Sequence, residues 1–214
     1  SYSASFVMSF VAAFLSVGPK AAGMAMLARF LNEALFLPPG SPIRSGIDFG
    51  NWQTTIVLIS AVTMTLGNLS ALRQTNVKRL LAYSSIAHAG YMLMALAVIR
   101  PFGVTAMTFY VVAYALMNLG AFLVVIALGR SMRSEELDSY AGLGVRAPVV
   151  AVLMAIFLFS LAGIPPTMGF AGKLYLFWAV LEGKGLAWLA VVAALNTAIA
   201  LYYYARILRQ MFFL

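Results

Sequence analysis

Apolar residues run along this chain in blocks of about 18 or more, long enough to cross a hydrocarbon core of roughly 30 Å, and polar residues collect between them. The blocks predict six spans, at 6–36, 54–72, 77–98, 104–129, 148–181 and 186–212. The fold class that follows is all-α, a polytopic transmembrane helix bundle. Between the first two spans, "LPPGSPIRSGIDFGN" reads as a turn-rich loop from its Pro and Gly density. Between the fourth and fifth, "GRSMRSEELDSYAGLGVRA" is the longest polar connection and holds three of the six acids. An interfacial helix or a surface loop is expected there.

Two spans exceed the length a single crossing needs. The first covers 31 residues with Gly18 and Pro19 directly before Lys20, and the fifth covers 34 and contains "LFSLAGIPPTMGFAGKLYLF". Proline removes a helix donor and clashes with the preceding turn, so discontinuities are expected near Gly18-Pro19 and across Gly163-Gly172. A broken helix is tolerated at membrane depth where protein or a wet cavity satisfies the freed backbone groups, and transporters place ion sites at such breaks.

Charge refines the topology. The net charge is +8, but its cations are dispersed between apolar spans, which favours membrane topology over nucleic-acid binding. One side collects Arg73, Lys78, Arg79, Arg130, Arg133, Arg146, Arg206 and Arg209; the other has Arg44, Arg100, Lys184 and a snorkelling Arg29. The excess puts the first side and both chain ends in the cytoplasm or its organellar equivalent. Trp52 and Trp188 each open a span from the opposite side, at headgroup level. Lys78 and Arg79 are read as anchors, with Thr75 or Asn76 capping the helix that follows. The opening "SYSASFVMSF" lacks a basic leader region and an initiator Met, so a piece of a longer chain is expected.

Composition also narrows the chemistry. Zero cysteines and one histidine exclude thiolate metal sites, cysteine-ligated clusters and disulfides, and leave little for a haem or metal. No P-loop, dinucleotide fingerprint or nucleophile–base pair is present. The ionisable side chains deep in spans are Lys20, His88 and Lys173. A charged lysine at the bilayer centre costs upward of about 2.5 kcal/mol, which marks each as a functional candidate. Lys173 is placed in the first turn of a half-helix restarting near Phe170, where burial and the helix dipole make it a candidate to load and unload a proton. The alternative is a lysine paired with an acid or with carbonyls in a neighbouring subunit. Polar residues recur at helical spacing: Ser84, His88 and Tyr91, with Ser85 flanking; Tyr110, Tyr114 and Asn118; Asn196 and Tyr203. These faces must turn inward, either as interhelical glue or as an ordered-water path joining the lysines. No acid is read as lying inside a span, which disfavours direct sodium binding.

Three segments, "FLSVGPKAAGMAMLARF" (14–30), "GNLSALRQTNVKRLLAYSSIAHAGYMLMALA" (67–97) and "LAGIPPTMGFAGKLYLF" (161–177), closely resemble the proton-pumping antiporter-like subunits of respiratory complex I. Within them the wording resembles the subunit N family rather than L or M; Mrp-type antiporters share a looser pattern. The resemblance implies two inverted five-helix repeats, of which this chain carries the eighth to thirteenth helices. As one membrane domain, 1–53 is the central-lysine helix and loop, and 54–214 the second repeat. Lys20 matches the central lysine joining two half-channels, and Lys173 the lysine at the broken helix. The family's membrane glutamate and lysine of the first half-channel, its His-Trp-Pro loop, its Pro-Thr-Pro segment and its last helix find no match here.

The implied activity is that of a proton-translocating subunit of an NADH:quinone oxidoreductase in a bacterial inner membrane. The chain is expected to hold no cofactor, with FMN, iron–sulfur clusters and quinone in partner subunits. Subunits K and M and the lipid bilayer are the expected neighbours, and nucleic acid is not. The rivals are an Mrp-type cation/proton antiporter or membrane-bound hydrogenase subunit, and a non-conducting structural remnant.

Overall fold

The computed structural model of the protein describes residues 2–35, 52–98, 101–132, 134–183 and 185–214. The loop at 37–51, and with it Arg44, lies outside the described residues, as do Arg100, Arg133, Lys184 and the side chain of Arg130.

The described residues form a helical bundle, with one isolated antiparallel bridge between Asn76 and Glu136. Its elements are α1 (Tyr2–Leu35), α2 (Trp52–Leu72), α3 (Val77–Leu96), α4 (Pro101–Met132), a 3₁₀ turn (Leu137–Tyr140), α5 (Leu143–Arg146), α6 (Pro148–Ala162), α7 (Met168–Leu181) and α8 (Ala187–Phe213). Three are by themselves long and apolar enough to cross a membrane: α2, the bulk of α4, and α8. The fifth predicted span is split into two shorter apolar helices, α6 and α7.

Local chemistry sets the boundaries. Asn76 caps α3, its side chain accepting from the Arg79 N–H at 3.0 Å, so it, not Thr75, takes the capping role. Pro148 opens α6, where its missing N–H costs nothing. Gly163 closes α6 at φ +83°, its N–H returning to the Phe159 and Ser160 carbonyls. Thr167 starts α7 by accepting from Phe170 N–H at 3.4 Å.

The interruption expected at Gly18-Pro19 is not there. Pro19 lies inside one continuous helix, α1. In lipid the remaining backbone groups have no better partner than the helix itself, so a single missing bond does not unwind it. The expectation that no acid lies inside a span is also corrected: Glu33 belongs to α1 and pairs with Arg29 at 2.9 Å, both side chains mostly exposed.

α4 lies centrally, packed on α1, α3, α6 and α7, while α2 pairs with α3 and α8. Tyr91, Tyr110, Tyr114, Tyr203, Tyr204 and Phe122 are fully buried between these helices. Leu58, Val62, Leu66, Leu116, Val191 and Leu195 face outward, as a lipid-solvated surface requires. The basic connections gather at one end. Lys78 pairs with Glu135, Val77 N–H donates to the Glu135 carbonyl at 2.9 Å, and Leu137 N–H donates to the Thr75 carbonyl at 2.8 Å. Arg206 donates to the carbonyls of Leu72 and Gln74, closing the end of α2. Trp52 and Trp188 stand at helix starts at the other end, where Gln53 donates to the Ala97 carbonyl at 2.9 Å.

Candidate functional site

The break between α6 and α7 positions Lys173. Because Thr167 takes the cap, α7 begins at Met168, two residues earlier than expected, and Lys173 falls in its second turn. Helical side chains lean toward the helix N-terminus, so the lysine reaches back across the break. Its Nζ donates to the carbonyls of Ala162 at 2.8 Å and Leu161 at 3.1 Å, groups that the end of α6 leaves without intrahelical partners. The ammonium also lies 5.3 Å from the centre of the Tyr91 ring. Only 4% of the residue is exposed. The partners are carbonyls, and they come from its own chain rather than from a neighbouring subunit.

The two half-helices approach closely. A Cβ on Gly169 would sit 1.8 Å from the Ser160 carbonyl oxygen, so this contact requires glycine. Ser160 Oγ accepts from Gly169 N–H at 3.1 Å, tying α6 to α7.

Lys20, on α1, is half-buried and donates to Ser85 Oγ at 2.5 Å. Ser85 in turn donates to the Ala82 carbonyl at 2.6 Å. Three residues along α3 from Ser85, His88 is 1% exposed. Its Nδ1 lies 2.7 Å from the Tyr110 hydroxyl and its Nε2 lies 3.4 Å from that of Tyr204. The rings of Tyr114, Tyr91 and Tyr110 surround it, with centroids at 5.1, 6.0 and 6.0 Å. Neutral imidazole has one donor and one acceptor nitrogen, and hydroxyls can serve either, so both tautomers are satisfied.

The other predicted side chains divide. Tyr114 donates to the Ser16 carbonyl at 3.3 Å, and Asn118 Nδ2 to Ser16 Oγ at 2.7 Å, linking α4 to α1 one turn before Lys20. Asn118 Oδ1 is buried without a hydrogen-bond partner, the kind of acceptor that takes an ordered water. Tyr91 OH donates to the Ala193 carbonyl at 3.3 Å and lies 3.1 Å from Thr197 Oγ1. Ser84 donates within its own helix, to Leu81 at 2.8 Å. Asn196 and Tyr203 are both bonded to Asn68. Sequence reasoning missed Tyr204, Asn68, Ser16 and Thr197. Asn68 carried a signal, being an amide inside an apolar span, whereas Tyr204 was hidden in "LYYYAR" by its neighbours.

A bundle with one broken crossing, in which a lysine at the break and a second lysine flank a buried histidine–tyrosine cluster, defines a polytopic membrane protein with an interior polar array. The chain belongs to the NADH:quinone oxidoreductase/Mrp antiporter transmembrane family, whose pattern matches residues 8–200. Over 212 residues it is 54% identical to NADH-quinone oxidoreductase subunit N of Anaeromyxobacter sp. (strain Fw109-5), covering 94% of this chain and 40% of the relative. Subunit N 2 of Sorangium cellulosum (strain So ce56) is also 54% identical, over 209 residues, with the same coverage of 94% and 40%. The chain therefore spans about two fifths of the length of these curated relatives. Among solved structures, the Mrp complex from Dietzia sp. DQ12-45-1b superposes with a TM-score of 0.72 at 30% identity, over 75% of this chain and 30% of that one. Respiratory complex I from Thermus thermophilus with bound NADH shares the fold, with a TM-score of 0.74 at 23% identity over 91% of this chain and 40% of that one.

Proposed function

We propose that this chain carries protons across a bacterial inner membrane as part of the subunit N component of a respiratory NADH:quinone oxidoreductase, beside neighbours of the K and M type. Residues 54–214 would supply the second five-helix repeat, and 1–53 the central-lysine helix and loop. The observation that carries this reading is that Lys20 and Lys173 both contact the His88 environment and that, among the described residues, neither is in an ion pair.

The chain's own groups set out the steps. Two of the three Lys173 donors are held by the Leu161 and Ala162 carbonyls, which leaves one to deliver a proton. Lys20 spends one donor on Ser85. Between them, His88 can take a proton on one nitrogen and release one from the other, with Tyr110 and Tyr204 on the two sides. FMN, iron–sulfur clusters and quinone belong to partner subunits in this reading, and supply the electron transfer that drives the cycle. Two like charges about 12 Å apart repel by roughly 1.4 kcal/mol at an effective dielectric of about 20, close to one tenfold change in occupancy. That biases proton transfer without driving it alone, so hydration at groups such as Asn118 Oδ1 is a needed contributor.

The test uses the complete complex in sealed vesicles, with Lys20→Ala and Lys173→Ala made separately. Lost proton uptake with intact assembly supports transport. Unchanged uptake with altered assembly would instead make these helices a scaffold. The likeness to the Mrp complex favours cation/proton exchange as a second reading. Activity that requires sodium, and not merely salt, would select it.

A further inference from the structure

Among the described residues, buried side-chain amides occur in two places, and they are bonded in opposite ways. Asn118 keeps one acceptor free beside α1. Asn68 and Asn196, 0% and 3% exposed, have every polar atom engaged. Tyr203 OH donates to Asn68 Oδ1 at 2.9 Å, and Asn68 Nδ2 donates to Asn196 Oδ1 at 3.0 Å. Asn196 Nδ2 then donates to Thr65 Oγ1 at 3.1 Å and to the Val192 carbonyl at 3.0 Å. Thr65 passes its own hydrogen to the Ala61 carbonyl at 2.8 Å. The donors all point one way, and the file ends on a backbone group.

The position of this file matters. Tyr203 packs edge-on against Tyr204 at 4.5 Å between centroids, and the Tyr204 hydroxyl reaches His88. In the other direction Asn68 is four residues from Leu72, about 6 Å along the helix, and the Leu72 carbonyl holds Arg206 at the basic end. Asn68 on α2 and Tyr203 on α8 thus lie between the basic end and the His88 cluster. Ala71 and Ile207, three and four residues beyond Asn68 and Tyr203, are fully buried and fill the adjoining turns. An amide nitrogen has no lone pair with which to accept a proton, and each amide nitrogen and oxygen of the pair already has a protein partner.

We infer that the Asn68–Asn196 pair is a proton-insulating plug, closing the α2–α8 side of the His88 cluster to the basic end of the bundle. This rests on the proton-path reading. A path that exchanges protons at two lysines gains nothing from a third opening at its histidine, because such an opening would dissipate the gradient. The plug holds the tyrosines in place through hydrogen bonds while breaking the chain of groups that can both take and give a proton.

A carboxyl group has the shape of an amide and can do both. Asn68→Asp, Asn196→Asp and Asn68→Leu are made in the complete complex and reconstituted in sealed vesicles. Passive proton conductance is followed after an acid pulse with a pH-sensitive dye, without NADH. Both carboxylate variants are expected to raise conductance severalfold in fully assembled complex, and the leucine variant to stay tight. Wild-type tightness in an assembled Asn68→Asp complex overturns the inference. So does an equal leak in Asn68→Leu, which would be packing damage, and so does failure of both carboxylate variants to assemble, which would make the pair purely structural. The proton-path reading fails on a separate measurement, normal turnover-driven uptake in the lysine variants, which passive leak does not enter.

Discussion

At the scale of single residues, His88 depends on two hydroxyls of unequal strength. Tyr110 lies 2.7 Å from Nδ1, whereas Tyr204 lies 3.4 Å from Nε2. Tyr110→Phe leaves a buried ring nitrogen unpaired, a loss of about 1–3 kcal/mol at that site. Proton uptake by the reconstituted complex is expected to slow severalfold with assembly retained. Tyr114→Phe removes a 3.3 Å bond to the Ser16 carbonyl and the hydroxyl's contact with Ser85, leaves both ring nitrogens of His88 paired, and is expected to slow uptake less. Equal initial rates in the two variants would deny His88 its special place. Most of this cluster was legible as residues: Lys20, His88, Lys173, Tyr91, Tyr110 and Tyr114 announce themselves as polar groups in apolar spans. Their pairing was not, because helical spacing gives the face of one helix and says nothing of which helix it meets.

At the scale of elements, the break between α6 and α7 depends on backbone that favours glycine. Gly163 sits at φ +83°, and a Cβ there would lie 2.8 Å from Lys173 Cδ. Gly163→Ala carries a backbone strain of about 1–3 kcal/mol and pushes on the lysine itself, so lower thermal stability and lower proton uptake should appear together. Gly169→Ala should be more damaging, since its obstacle is the Ser160 backbone rather than a movable side chain. Thermal unfolding of the purified complex ranks the two. The Pro-Gly cluster made this break legible. Gly18-Pro19 gave a similar signal and no break, because a proline within a long helix removes one bond, whereas residues 163–167 supply a left-handed C-cap, a turn and a new N-cap in succession.

At the scale of the whole molecule, the basic end is closed by two kinds of contact. The Lys78–Glu135 ion pair is partly exposed and contributes under about 1 kcal/mol, less at high salt. The backbone bonds between 75–77 and 135–137 do not depend on salt. Glu135→Gln is therefore expected to lower the melting temperature slightly in dilute buffer, with the difference vanishing as salt is raised. Leu137→Pro, which removes the N–H bonded to the Thr75 carbonyl, should destabilise at every salt concentration. Calorimetry in detergent at two ionic strengths compares them.

The sequence by itself determined the class of molecule, its three longest apolar crossings, its broken helix and the side chains that cannot face lipid, because solvation by hydrocarbon acts on each segment separately. Only the tertiary structure decided that Lys173 caps the carbonyls of α6, that Tyr204 completes the histidine's partners, and that Asn68 and Asn196 consume each other's hydrogen bonds. Those outcomes depend on which helices touch and at what height, and residues 128 positions apart, such as Asn68 and Asn196, meet through packing that no local pattern encodes.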